Sequence, residues 1–489
     1  MVACAFLPVG AVAAGGRPNF VFILADDLGY MDIGANNPNT FYETPNIDRL
    51  AEEGMRFTQG YAAGPVCSPT RASLMTGKYP PRTGITDFIG GTRIGRLKPA
   101  PNRDRLALEE VTIAERLRDG GYVTFFAGKW HLGAGDHGPK AQGFDGTAEG
   151  GGQFYYPASD SPADVKDDPK NSDYIAGHAE RFIAANKDKP FFAYLPFLAP
   201  HVPIKARPDL IAKYEKKRAN AKPETWGQER QHRVRLVQNH ALYAAMLEQL
   251  DAAVGRVVAA LEKHSVLGET VIVFTSDNGG LSTAEGHPTS NLPMRAGKGW
   301  LYEGGLRTPW IVRAPGISKA GSVCETPVIT NDIFPTIVEL AGLAASPTAN
   351  PKGGPNAASP QDSGGSSAAP GPQPAQADGI SLVPLLKGGE ARRGAPLFWH
   401  YPHYSNQGGP PGGAIRGGEW KLIEWYEDGV LELFNLREDP GEKNNLASLN
   451  PDKVKELSAR LQAYRKDVNA LMPTENLDYQ RDDSARPKK

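Results

Sequence analysis

Short apolar runs alternate along the chain with segments of helical periodicity. Residues 20–24, 122–126, 191–195 and 271–274 are runs made mostly of apolar side chains. A strand that is covered on both faces has no polar side, so such runs are typical of a parallel sheet buried between helices. The pattern therefore predicts an α/β fold with a large, mostly parallel mixed sheet flanked by helices.

Helical signals fill the segments between these runs. Pro45 is a favourable first residue for a helix over residues 46–53. Residues 108–118 also have helical character, and residues 72–76 are helix-like. Apolar side chains recur every three or four positions over residues 243–261, which predicts a long amphipathic helix in front of the last of the four strands.

The C-terminal third has a different character. Residues 344–377 contain only small and polar side chains, which bury too little surface to offset the entropy lost on ordering. We predict a disordered linker or insertion there. Beyond it, a series of short β runs ending near residue 435, with a hairpin turn at Asp428-Gly429, predicts a small antiparallel sheet. Residues 451–472 predict a helix.

The predicted organisation has four parts. Residues 1–16 resemble a trimmed secretory signal, because a short apolar run precedes Ala11-Val12-Ala13-Ala14, a suitable cleavage site. The run is too short to span a bilayer, so we expect no membrane span and a periplasmic or secreted protein. A frayed N-terminus is the alternative. An α/β domain over 17–343, the linker over 344–377 and a C-terminal subdomain over 378–489 follow.

Composition narrows the class of partner. The 489 residues include 54 Lys plus Arg and 55 Asp plus Glu, so nothing favours a nucleic acid or an anionic membrane as a partner. Affinity for an anionic substrate must come from a local pocket. Cys4, Cys67 and Cys324 are too few for a disulfide scaffold, although a single Cys67–Cys324 bridge stays open as an alternative.

Polar side chains follow each of the four predicted strands. The carboxyl ends of neighbouring parallel strands meet at one edge of a sheet, where ligands bind. Each polar group alone is common in turns and helix caps, but turns do not explain the repetition at one edge. In chain order, the groups after the strands are Asp26-Asp27, Lys129 with His131, His201, and Asp277-Asn278.

Three aspartates and an asparagine form an oxygen-rich set. Carboxylate and amide oxygens suit a hard cation such as Ca²⁺ or Mg²⁺ and not Zn²⁺. Packing Asp26, Asp27 and Asp277 together without a cation would raise their pKa values strongly. We therefore predict one divalent cation, with Ca²⁺ the first choice.

Cys67-Ser68-Pro69-Thr70-Arg71, followed by Ala-Ser-Leu-Met-Thr-Gly-Lys, closely resembles the type I, formylglycine-dependent sulfatases of the alkaline phosphatase superfamily. Thr70 stands where the family usually has Ser or Ala, which is a mild departure. The resemblance continues in order through most of the chain, in Leu24 to Gly29, Thr44 to Leu50, Gly128 to Gly133, Gly143 to Asp145, Pro200-His201, Ser276 to Gly279, Lys298, Glu303 to Gly305 and Asp378 to Leu382.

The resemblance implies a sulfatase in which a maturation enzyme oxidises Cys67 to formylglycine. The hydrate of that aldehyde is the nucleophile, and its second hydroxyl allows sulfate to leave. The implied metal ligands are Asp26, Asp27, Asp277, Asn278 and the modified Cys67. Arg71 is implied to hold the hydrate. Lys129, Lys298, His131 and His201 are implied to surround the sulfate, with His201 or Lys298 protonating the leaving oxygen and His131 assisting release.

A sulfated sugar at the end of a polysaccharide is the expected substrate. We predict that His400, His403 and Tyr404 form one wall of its site, in a loop before a Gly-rich run, and that Gln153 and Tyr155 form the opposite wall. The alternative is that these side chains pack the interface of the C-terminal subdomain. Two other functions stay open: a phosphonate or phosphodiester hydrolase of the same superfamily, and a catalytically silent glycan-binding relative.

Overall fold

The structure is a computed structural model that describes residues 16–148, 170–343, 377–391 and 393–479. The signal-like segment and the linker, apart from Gly16 and Ala377, lie outside the described residues. In chain order, the strands are β1 Asn19–Ala25, β2 Met55–Phe57, β3 Gly60–Tyr61, β4 Leu97–Lys98, β5 Val123–Phe126, β6 Gly146–Thr147, β7 Phe191–Pro196, β8 Trp226–Glu229, β9 His232–Arg235, β10 Thr270–Ser276, β11 Trp310–Arg313, β12 Ser322–Cys324, β13 Val328–Ile329, β14 Leu397–Tyr401, β15 Gly412–Gly417, β16 Trp420–Trp425, β17 Leu431–Asn435 and β18 Thr474–Glu475.

The helices lie mainly between the strands of the first three hundred residues. In chain order, they are α1 Pro45–Glu53, α2 Cys67–Thr76, α3 Pro80–Thr83, α4 Ile113–Asp119, α5 Ser172–Asn186, α6 Pro208–Arg218, α7 Ala241–Lys263, α8 Glu303–Leu306, α9 Ile333–Leu340, α10 Val383–Leu386 and α11 Pro451–Asp467. Within the residues that the structure describes, no helix combines the length and the apolar character that a bilayer crossing requires.

The large sheet has eight strands in the described residues, in the order β12-β2-β11-β10-β1-β7-β5-β6. β11 runs antiparallel to both of its neighbours, and the other adjacent pairs are parallel. The prediction of a mostly parallel mixed sheet is confirmed. All four strands predicted from apolar runs belong to this sheet, and they are its neighbouring strands β10, β1, β7 and β5.

Both faces of the sheet are buried. In β1, Val21 and Ile23 face a core that includes side chains of α1, α5 and α7. Phe20, Phe22 and Leu24 face a second core that includes side chains of α2, α4, α9 and α10. This alternation explains why residues 20–24 of the strand have no polar position.

The helix predicted over residues 108–118 begins later, at Ile113. Thr112 accepts a hydrogen bond from the Glu115 backbone N–H, and the Glu115 carboxylate accepts one from the Thr112 backbone N–H. This capping box satisfies the first free N–H groups, so the helix starts immediately after Thr112.

The C-terminal sheet has four antiparallel strands in the order β14-β15-β16-β17, and α11 packs against it. The sequence pattern does not predict its strand β14, because it places His400, His403 and Tyr404 in a binding loop. Every residue of β14 is buried. Before that strand, Leu382, Leu385 and Leu386 pack into the core of the large sheet. The predicted part 378–489 therefore contributes to two cores.

A buried ion cluster joins this sheet to α8. Lys421 of β16 lies 3.0 Å from Glu303 and 2.8 Å from Glu442, and all three side chains are fully buried. The Tyr61 hydroxyl donates to Glu303 at 2.7 Å, and the Glu303 backbone N–H donates to Glu442 at 2.6 Å. One ammonium group is thus shared by two carboxylates that have no access to water, and burial raises the pKa of Glu442 to about 7.

Lys421→Ala should lower the free energy of unfolding by about 3–5 kcal/mol, because it leaves two buried carboxylates without their shared cation. Denaturant unfolding followed by circular dichroism measures the change. Lys455→Ala, an exposed position on α11, is the matched control and should shift the value by less than about 0.5 kcal/mol. Equal effects of the two substitutions would contradict a structural role for the cluster.

Candidate active site

The carboxyl ends of β1 and β10 bring four polar residues together. Ala25 and Ser276 are paired at the ends of these parallel strands, so the residues that follow lie side by side. The Asp27 backbone N–H donates to Asp277 Oδ1 at 3.1 Å, and Asn278 Nδ2 donates to Asp27 Oδ1 at 2.8 Å. Asp27 has a φ of +69°, a conformation that is uncommon outside glycine and that directs the chain away from the strand.

Helix α2 contributes Cys67 and Arg71. Cys67 is its first residue, and Arg71 follows one turn later on the same face. Arg71 donates to Asp277 Oδ2 through Nε at 2.9 Å and Nη2 at 2.7 Å, and to the Lys129 carbonyl at 2.6 Å. Nη2 also lies 3.6 Å from Asp26 Oδ2, so Arg71 ties α2 to the ends of β10, β5 and β1.

Two buried lysines complete the charged cluster. Lys129 follows β5, and its Nζ donates to Asp26 Oδ2 at 2.6 Å and lies 3.5 Å from Cys67 Sγ. Lys298 Nζ lies 2.8 Å from the Asp27 carboxylate. Each aspartate after β1 therefore faces one ammonium group.

The two histidines occupy different positions. His201 is partly exposed, with Nε2 3.7 Å from Asp27 Oδ2 and Nδ1 2.5 Å from the Val202 carbonyl. Because that carbonyl only accepts, Nδ1 carries the hydrogen and Nε2 is turned to the site. His131 is buried, with Nε2 3.2 Å from the Ile89 carbonyl. Burial lowers the pKa of both imidazoles, that of His201 to about 4.

Burial and charge act against each other on the carboxylates. Burial alone would raise the pKa of Asp26, but the positive charges of Lys129, Arg71 and Lys298 outweigh it and hold that pKa well below its usual value. Burial and the negative charge of Asp26 raise the pKa of Asp277, despite its contact with Arg71. The cations of the protein therefore neutralise only part of the carboxylate cluster.

Two buried oxygens fit a cation. Asp26 Oδ1 and Asn278 Oδ1 have no hydrogen-bond partner among the described residues although both are buried, and an unsatisfied buried acceptor is costly. Ligand atoms of Asp26, Asp27, Cys67 and His201 also lie within 4.8 Å of one another. The residues present thus fit a hard, oxygen-liganded cation at the end of β1.

The predicted sugar-binding wall is wrong for two of its residues. His400 belongs to β14 and uses both ring nitrogens internally, on the Tyr426 hydroxyl and the Leu471 carbonyl. His403 is 3% exposed, with Nε2 2.8 Å from the Thr86 hydroxyl. Buried imidazoles with internal partners cannot cover a sugar.

Tyr404 is partly exposed, and its hydroxyl accepts a hydrogen bond from the Leu97 backbone N–H at 3.0 Å. Its role in a sugar site stays a prediction. Gln153 and Tyr155 lie outside the described residues.

Sequence reasoning missed two charged residues beside the site. Lys170 is buried just before α5, and the charges of Asp26, Lys129 and Asp27 act on it. Burial lowers its pKa to about 8. Glu285 lies near enough to Lys298 and Asp27 for their charges to act on it. Neither residue belongs to a motif or directly follows a strand, so no local signal marked it.

Comparison with known proteins identifies the family. A model described as Sulfatase matches residues 18–343, and one described as N-sulphoglucosamine sulphohydrolase, C-terminal, matches residues 367–469. The chain belongs to the sulfatase family of the alkaline phosphatase superfamily and is a sulfuric ester hydrolase.

Individual relatives agree over most of the chain. A sulfatase of Formosa agariphila is 31% identical over 90% of this chain and 86% of its own length. Steryl-sulfatase of Rattus norvegicus is 32% identical over 68% of each chain. The crystal structure of Ps i-CgsB in complex with k-i-k-neocarrahexaose is 27% identical, with a TM-score of 0.70 over 96% of each chain.

Exhaustive chelation should abolish activity and lower the Tm by about 5 °C or more, because a cation bound only by the native state stabilises that state. Elemental analysis and a thermal melt, each before and after chelation, measure the effect. Asp27→Ala should reproduce the loss of metal, whereas Asp188→Ala, at an exposed site, should not. Full activity in chelated, metal-free protein would rule out the metal site.

Proposed function

We propose that this protein hydrolyses sulfate esters of sulfated carbohydrates, removing sulfate from the end of a chain. The proposal includes formylglycine at position 67, installed by a maturation enzyme, one Ca²⁺ ion, and action in the periplasm or outside the cell. The observation that carries it is the convergence of Cys67, two ammonium groups and the carboxylate cluster at one edge of the sheet.

Two ammonium groups fit an anionic sulfate. Lys129 and Lys298 lie on two sides of the cluster with buried Nζ atoms, and fixed cations in a dry site stabilise the charge of a sulfuryl group in transfer. Arg71 holds Asp277 and the end of β5 in place. The two ammonium groups are therefore in place to bind sulfate at the carboxylate cluster.

The absent groups would add the remaining chemistry. Asp26, Asp27, Asp277 and Asn278 would hold Ca²⁺, together with residue 67. When bound, the cation would polarise a sulfate oxygen, and a hydrated formylglycine would supply the attacking hydroxyl and a second hydroxyl for release of sulfate.

Lys298 is the better placed of the two candidates for protonating the leaving oxygen. Burial would lower the pKa of Lys298, but the negative charge of Asp27 outweighs it and raises that pKa, so Nζ keeps its proton at neutral pH. His201, with a lowered pKa, is neutral there. His201 Nε2 then orients the substrate at the mouth, and His131 assists release of sulfate.

Similar proteins support a sugar substrate. The crystal structure of Ps i-CgsB holds k-i-k-neocarrahexaose, and the similarity extends over nearly the whole of both chains. A phosphonate monoester hydrolase of Agrobacterium radiobacter shares the fold at 20% identity and a TM-score of 0.65. Because that identity shows the fold alone, it does not favour phosphonate chemistry, and a galactose-type sugar is the proposed substrate class.

Cys67 should carry an aldehyde in protein made by a host with the maturation machinery. Mass spectrometry of the peptide that contains residue 67 measures the conversion. Cys67→Ala should reduce turnover below detection and leave the Tm nearly unchanged, because a small side chain fits the start of α2. Cys324→Ala is the control and should keep full activity. A fully active preparation with an unmodified thiol would contradict the proposal.

A panel of sulfated mono- and oligosaccharides should include one with a higher kcat/KM than 4-nitrophenyl sulfate and 4-nitrophenyl phosphonate. Lys298→Ala should lower turnover of both substrates, because its ammonium group also stabilises the sulfuryl charge, but turnover of the sugar should fall about 10²–10⁴-fold more, because 4-nitrophenolate leaves without a proton.

His201→Ala serves as the comparison in the same panel and should affect both substrate types similarly. Preference for the aryl sulfate over every sugar would reject the substrate class. Preference for the phosphonate would identify the other hydrolase instead.

A further inference from the structure

The strongest unassigned feature beside the sulfate pocket is the carboxylate of Glu285. Glu285 is an exposed residue in the segment after β10, and the positive charge of Lys298 and the negative charge of Asp27 both act on it. An exposed glutamate usually moves freely, but this one is anchored. Gln407 Nε2 donates to Glu285 Oε1 at 2.8 Å.

The anchoring amide is itself fixed. Gln407 is 3% exposed, and its Oε1 accepts from the Ser405 hydroxyl at 2.6 Å, so its Nε2 must face Glu285. The Gln407 carbonyl accepts from the Trp300 indole at 2.9 Å and from the Thr283 hydroxyl at 3.0 Å. A buried network therefore holds one carboxylate oxygen in place.

The loop that contains Ser405 and Gln407 also packs against the residue that follows Lys298. Gly299, directly after Lys298, has a φ of +81°, and a Cβ there would lie 1.9 Å from the Ser405 hydroxyl. Gln407 and Lys298 are thus positioned by one packed contact between the loop before β15 and the segment before α8. The distance between Glu285 and the sulfate site is set by rigid neighbours.

From this arrangement we infer that Glu285 is a specificity residue that accepts a hydrogen bond from a free hydroxyl of the sugar, next to the sulfated carbon. This subsite rests on the proposed sugar sulfatase function. Gln407 occupies Oε1, and Oε2 accepts the sugar hydroxyl. A hydroxyl is a donor that suits a carboxylate, whereas a second sulfate at that position is an anion that the carboxylate repels. The site therefore selects a sugar without a sulfate on that neighbouring carbon.

The test compares wild type, Glu285→Gln and the control Glu325→Gln, an exposed glutamate directly after β12. The substrates are the monosulfated galactose that the wild type desulfates fastest, its analogues with each neighbouring hydroxyl replaced by hydrogen or by sulfate, and 4-nitrophenyl sulfate. For Glu285→Gln, the ratio of kcat/KM on the galactose sulfate to that on the aryl sulfate should fall about 10- to 100-fold.

Three further readouts separate recognition from structural damage. For the wild type, kcat/KM should be lower by a similar factor on one of the deoxy analogues than on the parent galactose sulfate. For Glu285→Gln, the same analogue and the parent sugar should have nearly equal kcat/KM. The wild type should have a lower kcat/KM on the matching disulfated sugar than on the monosulfated one, and this difference should be smaller in Glu285→Gln. Glu325→Gln should match the wild type throughout.

Two outcomes would overturn the inference in different ways. A wild type that desulfates galactose sulfate, with an unchanged substrate ratio in Glu285→Gln, would refute the subsite and leave the proposed function intact. A wild type that acts on 4-nitrophenyl sulfate and on no sugar sulfate would refute both.

Discussion

The parallel pairing of β1 with β10 is the constraint on which the site depends. Because the two strands end at the same level, their next residues meet, and carboxylates that would repel one another in solution are forced into contact. Arg71 and Lys129 offset part of that repulsion, and they arrive from α2 and β5. The fold thus brings like charges together at one edge, and cations from two other elements, α2 and β5, reduce the repulsion.

The C-terminal sheet stabilises the residues that follow β10 through its contacts with α8. Lys421 neutralises Glu303 at the start of α8, and the backbone of α8 lies against Gly279, directly after Asn278. A Cβ at Gly279 would lie 1.9 Å from the Gly304 carbonyl, so no other residue fits there without movement of the chain. A sheet far along the sequence therefore restrains the residues that follow β10.

The elements predicted best were those with a periodic or motif signal. The buried strands follow from apolar runs, and the cluster at their ends follows from what comes next in the chain. The prediction of a sugar-binding wall at His400 and His403 was wrong because aromatic and imidazole side chains suit both a sugar-binding surface and a protein core. Only the pairing of β14 with β15 distinguishes the two. Lys170 and Glu285 had no signal at all, since tertiary contacts alone bring them to the site.

The burial of residue 67 has a consequence for the order of events in the life of the protein. Cys67 is 2% exposed, under the ammonium group of Lys129 and at the start of a helix whose residues are all buried. An enzyme that oxidises this side chain must bind the surrounding backbone, and that backbone is inaccessible in the folded protein. If the conversion occurs as proposed, it must precede folding, on the newly made and still extended chain. A molecule that folds first is then permanently inactive. The fraction of active enzyme therefore depends on the rate of Cys67 oxidation relative to the rate of folding during synthesis.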